Sequence, residues 1–567
     1  MSGGVSDDAS KNGAEHVYDA LVDAGVDLLV GLPGTQTLPL DRIVTQRDEI
    51  DYVMARHETA IPHIAWGHYE SGGGMAATLT VPGPGDTNAM HGLKNAFEDC
   101  VPMVHISADV DPDDRGRGPI HEIAADTFDN VVKSNQNVGA KDRLDEQVSR
   151  GIAIARTPPT GPVRLGIPSS FLDSPVRPQD VRVDPERQSY DIDDEVEETV
   201  ELLTTAERPV VYVGGGARRS DGGPDVASVL AAALDAPVVA SYKGKGVVPE
   251  DNERFVGVTG SHLPAGAERI LSRSDVVLAL GTDFDGVTTD DWSLPMGDRL
   301  VHVNVDPADI GDPYPPTIPI VGDVGDVGKR LLAGIRARDQ PRTRWDGAAL
   351  GRRVREEYHE HLADLGVLAA DAEPAYTPAV LRTIRERLPR ETVVVTGVGG
   401  FRLWTKQVFE AYTPETYVTA GSWAGMGVGL PAALGAKLAN PDTPVVSLIG
   451  DGGLLMCLQE LHTAVEYDLD VIAVVFDNAD YGIISKSAEF SQPGDRSPFR
   501  WDSPDFVTLA EGFGARGTAV STATEAGDAL EAALERTAGP ELIDVQITRS
   551  EPSVVEAADY ESTIALE

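Results

Sequence analysis

The sequence predicts an α/β protein of three domains, each a parallel sheet flanked by helices. Three observations carry that prediction. Short apolar runs alternate with helix-length stretches along most of the chain, the rhythm of strand–helix–strand units. At 567 residues the chain exceeds one ordinary domain and suits three. The apolar runs also fall into three blocks, set apart by acidic, Pro-rich or patternless stretches.

The first block, residues 14–178, carries the strand candidates "VDLLVGLPG", "DYVMARHE", "MAATLTVPGPG", "MVHISAD" and "GPVRLGIP". The Pro-rich "SPVRPQDVRVDPE" and the acidic "DIDDEVEETVELL" follow it. The second block, residues 190–340, offers "PVVYVGGG", "APVVASY", "SDVVLALG" and "RLVHVNVD". A linker with little pattern is expected over about 341–374. The third block, residues 375–550, has "ETVVVTGVGG", "TYVTAGS", "PVVSLIGDGG", "VIAVVFDN" and "ELIDVQI". The first and third blocks share a Gly-rich turn after each of several strands, which predicts two similar domains flanking a third. The leader "MSGGVSDDASKNG" is expected to be disordered.

Composition excludes several classes of function. The net charge is −44, spread along the chain rather than gathered in a tail. Nucleic acid is a poor partner for such a surface, because phosphate binding needs clustered Lys and Arg. Scarce Lys and solvated acidic stretches such as "DPDD" and "TTDDW" resemble proteins of salt-accumulating halophiles, where molar salt screens the self-repulsion. Cys100 and Cys457 are the two cysteines, giving neither a disulfide framework nor a zinc pattern, so a reducing cytoplasm is expected. No apolar run approaches the ~20 residues of a membrane span, and no signal peptide is read.

Several motifs fail on spacing. "GDVGKR", ending at Arg330, lacks the glycine spacing and the Ser or Thr of a phosphate loop. "HETAIPH" would need a second His at Ile61 to be a zinc-protease helix. "VYVGGGARR" lacks the full dinucleotide glycine pattern and reads as a strand-to-helix turn. No Gly-x-Ser-x-Gly nucleophile elbow occurs.

"GDGG", residues 450–453, ends a strand candidate at a carboxylate. Asn478 ends the next one, 27 residues after Asp451. A strand, a crossover helix and a parallel strand need about that length. Both residues would then share the carboxyl edge of one sheet, where open α/β sheets bind ligands. A carboxylate, an amide oxygen and a backbone carbonyl form a hard oxygen set suited to Mg²⁺, with positions left for phosphates. Gly452 and Gly453 would let backbone amides approach those phosphates. The alternative is that Asp451 caps a helix and Asn478 fills a turn.

"GDGG…FDNADYG" resembles the thiamine diphosphate signature, Gly-Asp-Gly followed some 25–30 residues later by Asn-Asn. Asp477 stands where the signature has its first Asn. The likeness extends along the chain through "GLPGTQTLPLDRI", "RHETAI", "GPGDTNAMHGLKNAFEDCVPMVHIS", "RPVVYVGGG", "GVGGFRLW", "GSWAGMGVGLPAALGAK" and "PDFVTLAEGFG". These resemble acetolactate synthase and its decarboxylase relatives. The resemblance implies that Asp451, the Asn478 side chain and the Asp480 carbonyl bind Mg²⁺. It makes Glu58 the carboxylate at the pyrimidine ring nitrogen, kept protonated by burial. Read alone, Glu58 is rather a charge at a helix N-terminus, a reading the other motifs reverse. It further gives the Ala424 carbonyl and Met426 amide to the pyrimidine, the Met426 side chain to the bend of the cofactor, and Gly399 and Gly400 to the diphosphate. Taken by themselves, Met426 reads as core filler and the two glycines as an ordinary turn.

Further implications concern assembly and substrate. Glu58 and Asp451 lie in different domains, so the resemblance implies a homodimer or homotetramer whose sites each take Glu58 from one chain and Asp451 from the other. The expected reaction is decarboxylation of a small 2-oxo acid with carboligation, in branched-chain amino acid biosynthesis. A simple 2-oxo acid decarboxylase and a non-catalytic cofactor-binding paralogue are the alternatives. Acetolactate synthases tend to have Gln where this chain has Thr59, and an Arg-Gln-Trp-Gln-like stretch where it reads "IISKSAEFSQPG". The region holding their flavin-contacting Arg reads "GTDFDGVTTDD", without Arg, so FAD is left as an open, doubtful cofactor. A small regulatory subunit also stays open. His121, in "PIHEIAAD", reads either as a substrate-facing residue or as an ordinary helix-start histidine, the latter favoured.

Overall fold

The computed structural model describes residues 11–177, 179, 181, 183–186, 188–260, 263–311, 313–338, 343–486, 499–536 and 538–566. The chain builds three six-stranded, wholly parallel sheets. The first contains β1 (Leu28–Gly31), β2 (Asp51–Met54), β3 (Ala76–Thr80), β4 (Met103–Asp109), β5 (Ser134–Asn137) and β6 (Pro162–Pro168), in the order β2-β1-β3-β4-β6-β5. The second contains β7 (Pro209–Val213), β8 (Val238–Ala240), β9 (Phe255–Val258), β10 (Val276–Leu280), β11 (Leu300–Asn304) and β12 (Ile318–Val321), in the order β12-β11-β10-β7-β8-β9. The third contains β13 (Val393–Thr396), β14 (Tyr417–Thr419), β15 (Val445–Gly450), β16 (Val471–Asp477), β17 (Arg516–Val520) and β18 (Glu541–Gln546), in the order β14-β13-β15-β16-β18-β17.

The first and third sheets thus share one topology, and the middle sheet has another. Central strands such as β7, β10 and β16 are buried at every residue, as expected when helices cover both faces. The Val, Ile and Leu side chains of each sheet feed apolar cores of their own.

The chain forms two compact units. One comprises Met1–Arg187 with the segments Pro431–Pro441 and Cys457–Leu469. The other comprises Gln188–Leu430, Asp442–Met456 and Asp470–Glu567. In the first unit, helix Ala60–Glu70 packs closely on residues of helix Gly429–Ala439. A Cβ on Gly67 would lie 2.1 Å from the Ala432 carbonyl oxygen, and one on Gly435 would lie within 1.9 Å of that of Ile64. Only glycine permits that approach.

Some expectations are corrected. Residues 341–374 are not a patternless linker, since Gly347–Asp364 is an 18-residue helix capped by the Asp346 side chain on the Ala349 amide. It buries Leu350, Val354, Tyr358 and Leu362, one per turn. Residues 1–10 of the expected disordered leader lie outside the described residues, but its end is ordered. Asn12 and Glu15 form a capping box that starts helix Gly13–Asp23. "GDVGKR" lies within helix Val324–Arg336, capped by Asp323. Both cysteines are free thiols. Among the described residues, no helix is long and apolar enough to cross a membrane.

Candidate cofactor site

The third sheet reverses its strand order between β13 and β15. Such switch points leave a crevice at the carboxyl edge. The two turns that open there are "GVGG", after β13, and "GDGG", after β15. Gly399 precedes helix Gly400–Val408, and Asp451 opens the short helix Asp451–Leu455.

Asp451 is buried at this edge. Its Oδ1 accepts from its neighbour's amide, Gly452 N, at 2.8 Å. Its Oδ2 accepts from Ala479 N at 2.7 Å, tying the end of β15 to the loop after β16. Burial first, then hydrogen bonding to Asp477, raises its carboxyl to about 7. Asp544, on β18, is raised to about 7 by burial and by the Asp477 charge. Asp477 itself accepts from Ala479 N, Ser503 Oγ and Gln546 Nε2. The edge therefore concentrates negative charge that its own side chains neutralise poorly.

Asn478 is half-exposed beside this group, and its side-chain amide makes no hydrogen bond among the described residues. Its backbone carbonyl accepts from Arg549 Nε at 2.6 Å, which fixes the loop. Asp480 is buried, with Oδ2 accepting from Ser485 and Arg500 and with Oδ1 lacking a partner. Each Asp451 oxygen accepts one backbone amide, and even with the Asp477 contact a lone pair is left over. That donor set fits one divalent cation held by a carboxylate, an amide oxygen and a carbonyl. Among the described residues, no group of three or more His, Cys, Asp or Glu side chains could hold a metal.

The glycines differ in what they accommodate. A Cβ on Gly452 would meet the Tyr481 ring at 2.6 Å, so that glycine makes room for the tyrosine as well as exposing its amide. A Cβ on Gly453 would lie 3.5 Å from Ile449, and one on Gly400 3.8 Å from Ile483, ordinary van der Waals contacts that a small side chain would tolerate. Gly399 is extended, with the Phe401 ring 3.0 Å from its Cβ position. Phe401 stacks on Phe476 behind the edge, with ring centroids 5.0 Å apart.

Ala424 and Met426 lie on the loop between β14 and helix Gly429–Ala439, both half-buried. Ala424 has φ +46°, a left-handed conformation that costs a non-glycine residue about 1–2 kcal/mol. Residues so strained concentrate at functional sites. Around the same edge, Trp423, Leu455, Met456, Ile483 and Ile484 are exposed in the single chain.

Glu58 belongs to the other unit, in the turn between β2 and helix Ala60–Glu70. Its Oε2 accepts from Asn88 Nδ2 at 3.1 Å. The expected burial is not supplied by its own chain, where Glu58 is half-exposed. The preceding backbone is gripped firmly. Both Glu460 oxygens lie 3.2 Å from Arg56 N, and the Tyr467 hydroxyl accepts from Met54 N at 2.8 Å. Sequence reasoning passed over Asn88 and Glu460, since an Asn and a Glu at such separations carry no recognisable spacing.

His121 is corrected too. It does not begin a helix but sits in a turn with φ +66°, its Nδ1 3.2 Å from Gln36 Nε2. Of the stretch "IISKSAEFSQPG", residues 487–494 lie outside the described residues.

Comparison with known proteins agrees with this geometry. Residues 11–129 match the N-terminal thiamine pyrophosphate binding domain, residues 196–331 the central domain, and residues 397–545 the C-terminal thiamine pyrophosphate binding domain of thiamine pyrophosphate enzymes. A probable acetolactate synthase large subunit of Methanocaldococcus jannaschii is 30% identical over 562 residues, covering 95% of this chain and 92% of that protein. The acetolactate synthase isozyme 3 large subunit of Escherichia coli is 30% identical over 557 residues, covering 95% and 94%. The large subunit from Corynebacterium glutamicum is 29% identical, covering 94% and 86%. With three successive domains matched and relatives aligned almost end to end, the chain belongs to the thiamine pyrophosphate enzymes, as an acetolactate synthase-like member.

Proposed function

We propose that the chain is the catalytic subunit of an acetolactate synthase-type carboligase acting on small 2-oxo acids. The observation that carries the reading is the carboxyl edge of the third sheet, where the buried Asp451 is tied to Ala479 N, the residue next to Asn478, whose side-chain amide makes no hydrogen bond among the described residues. Thiamine diphosphate, when bound, supplies the electron sink for loss of CO₂ from the 2-oxo acid.

The chain's own residues have separable tasks. Asp451, the Asn478 side chain and the Asp480 carbonyl would hold Mg²⁺, a hard cation suited to three oxygen donors. Gly399, Gly400, Gly452 and Gly453 line the diphosphate. The Ala424 carbonyl and Met426 amide would bind the pyrimidine edge, and the Met426 side chain would pack against the cofactor. Glu58 holds a proton at the pyrimidine ring nitrogen. Glu58 comes from a second copy of the chain, which makes a dimer the smallest active form and buries its half-exposed carboxyl. The apolar side chains exposed around the third-sheet edge support this reading, because such patches mark interfaces. The relatives are named as large subunits, and we extend to this chain the expectation of a smaller companion subunit.

The deciding experiment is a product assay with pyruvate, thiamine diphosphate and Mg²⁺ in molar KCl, beside Glu58→Gln. Acetolactate formation that falls about 10²–10⁴-fold in the variant is expected, the scale of a lost proton-transfer group. Free acetaldehyde in place of acetolactate would transfer the chain to the decarboxylases. Unchanged turnover in Glu58→Gln would remove Glu58 from its role.

A further inference from the structure

The start of helix Pro84–Glu98 faces the Glu58 carboxylate. Asn88 donates to Oε2 at 3.1 Å, and the Cβ position of Gly85 lies 3.7 Å from Oε1. The Thr59 hydroxyl in turn donates to the Asn88 carbonyl at 3.1 Å. Between Gly85 and Asn88, the side chain of Asp86 turns into the sheet.

Asp86 is fully buried and held by three neighbouring strands. Its Oδ1 accepts from Thr80 Oγ1 of β3 at 2.8 Å and lies 3.0 Å from His105 Nε2 of β4. Its Oδ2 accepts from Arg164 of β6 twice, from Nε at 3.1 Å and from Nη2 at 2.8 Å. His105 is fixed on its other side by Thr78 Oγ1, 2.9 Å from Nδ1. Arg164, 1% exposed, donates through Nη1 to Asn135 and Asn137 of β5 and lies over the Phe128 ring. Burial alone would raise the Asp86 carboxyl, yet the His105 hydrogen bond and the Arg164 charge hold it down to about 2.

Apolar residues of the same volume would often stabilise such a core as well or better. What the ionic arrangement adds is direction, because the guanidinium fork admits few orientations of its carboxylate. The residue so directed belongs to the helix start that faces Glu58.

We propose that the Asp86–His105–Arg164 cluster is a positioning device. It clamps the first turn of helix Pro84–Glu98 to the sheet, so that Asn88 holds the Glu58 carboxylate in the orientation in which it meets the aminopyrimidine. The proposal rests on the role given to Glu58 above. Asp86 and Asn88 act through Glu58 and are positioning residues.

The test reads exchange of the thiazolium C2 proton of bound thiamine diphosphate with deuterium in the holoenzyme, a step that needs Glu58 but no substrate. Cofactor affinity is measured alongside by tryptophan fluorescence. Asn88→Ala is expected to slow exchange and kcat together by about 10–100-fold, the usual scale for an outer residue that orients a ligand, with KM little changed. Asn88→Asp keeps the volume but removes the donor, and should slow exchange at least as much as Asn88→Ala. A merely structural role would make it the milder change. In Glu58→Gln, adding Asn88→Ala should cost nothing further. For Asp86→Asn, amide hydrogen exchange over residues 83–90 of the apo-protein should speed up, and unchanged protection would remove the clamp. Should that variant not fold, the exposed Asn88 decides the matter alone. Slow exchange in Glu58→Gln with normal exchange in both Asn88 variants would overturn this proposal only. Normal exchange in Glu58→Gln would overturn the role of Glu58 itself.

Discussion

Replacing Asp451 by asparagine tests the electrostatics of the third-sheet edge without substrate or cofactor. The folded chain raises this carboxyl from 3.8 to about 7 through burial and the neighbouring Asp477. The folded state therefore keeps a proton that the unfolded state has lost anywhere between those values. Stability must fall as pH rises across that window and level off above about pH 7. At ~1.4 kcal/mol per pH unit, the full fall is ~4 kcal/mol. The substituted amide does not titrate, and the acceptor lost toward Ala479 N adds an offset independent of pH. The difference in stability between Asp451→Asn and the parent should then move by up to ~4 kcal/mol in favour of the variant from pH 4 to pH 8. For a domain of about 150–250 residues this is roughly 10 °C in Tm. Calorimetry of the apo-protein at several pH values measures it, and pairing the variant with the parent cancels groups such as Asp544 that titrate in both. Adding Mg²⁺ and thiamine diphosphate at about 100 times their Kd should restore ~2.7 kcal/mol to the parent and little to the variant. Curves for the two proteins that run parallel from pH 4 to pH 8 would refute the reasoning, as would equal stabilisation by the cation.

Asp477→Asn should stabilise the apo-protein at pH 8 by removing the second contributor to the raised Asp451 carboxyl, while weakening Mg²⁺ about tenfold because a negative charge beside the cation is lost. Isothermal titration separates the two effects. Arg164→Met leaves the buried Asp86 carboxylate without its cation and should cost about 3–5 kcal/mol in denaturant unfolding at pH 7. Gly67→Ala forces a methyl to 2.1 Å from the Ala432 carbonyl oxygen and should cost about 1–3 kcal/mol, read as a lower denaturation midpoint.

Fourteen of the eighteen described strands lie within the apolar runs that the sequence displays, and the four others, β5, β9, β12 and β17, are all edge strands. That pattern has a cause. A central strand of a parallel sheet is covered on both faces and reads as an unbroken apolar run. An edge strand is partly solvated, so β5 reads "SNQN" and β17 begins "RGT", whereas β9, "FVGV", and β12, "IPIV", are apolar but only four residues long. The helix over Gly347–Asp364 escaped notice for a related reason. Its buried Leu350, Val354, Tyr358 and Leu362 are single residues four apart among charges, a narrow stripe rather than a wide apolar face.

The site divides along a similar line. Asp451 and Asn478 were legible because one crossover connects them, and the length of that crossover is written in the chain. Asp86, His105 and Arg164 have no such spacing. What unites them is that β3, β4 and β6 are neighbours in the sheet, although β5 and helix Leu144–Arg156 intervene in sequence before β6. Asp477 shows a further limit. In the sequence it reads only as a departure from the first Asn of the signature. In the folded chain its carboxylate instead helps set the proton affinity of Asp451, the residue on which the Mg²⁺ reading depends. A residue that holds no cation can therefore tune the site through the field it imposes in a buried, weakly screening environment. Comparing Asp477→Asn with Asp451→Asn separates the residue proposed to hold the cation from the one that sets how strongly the empty site resists ionisation.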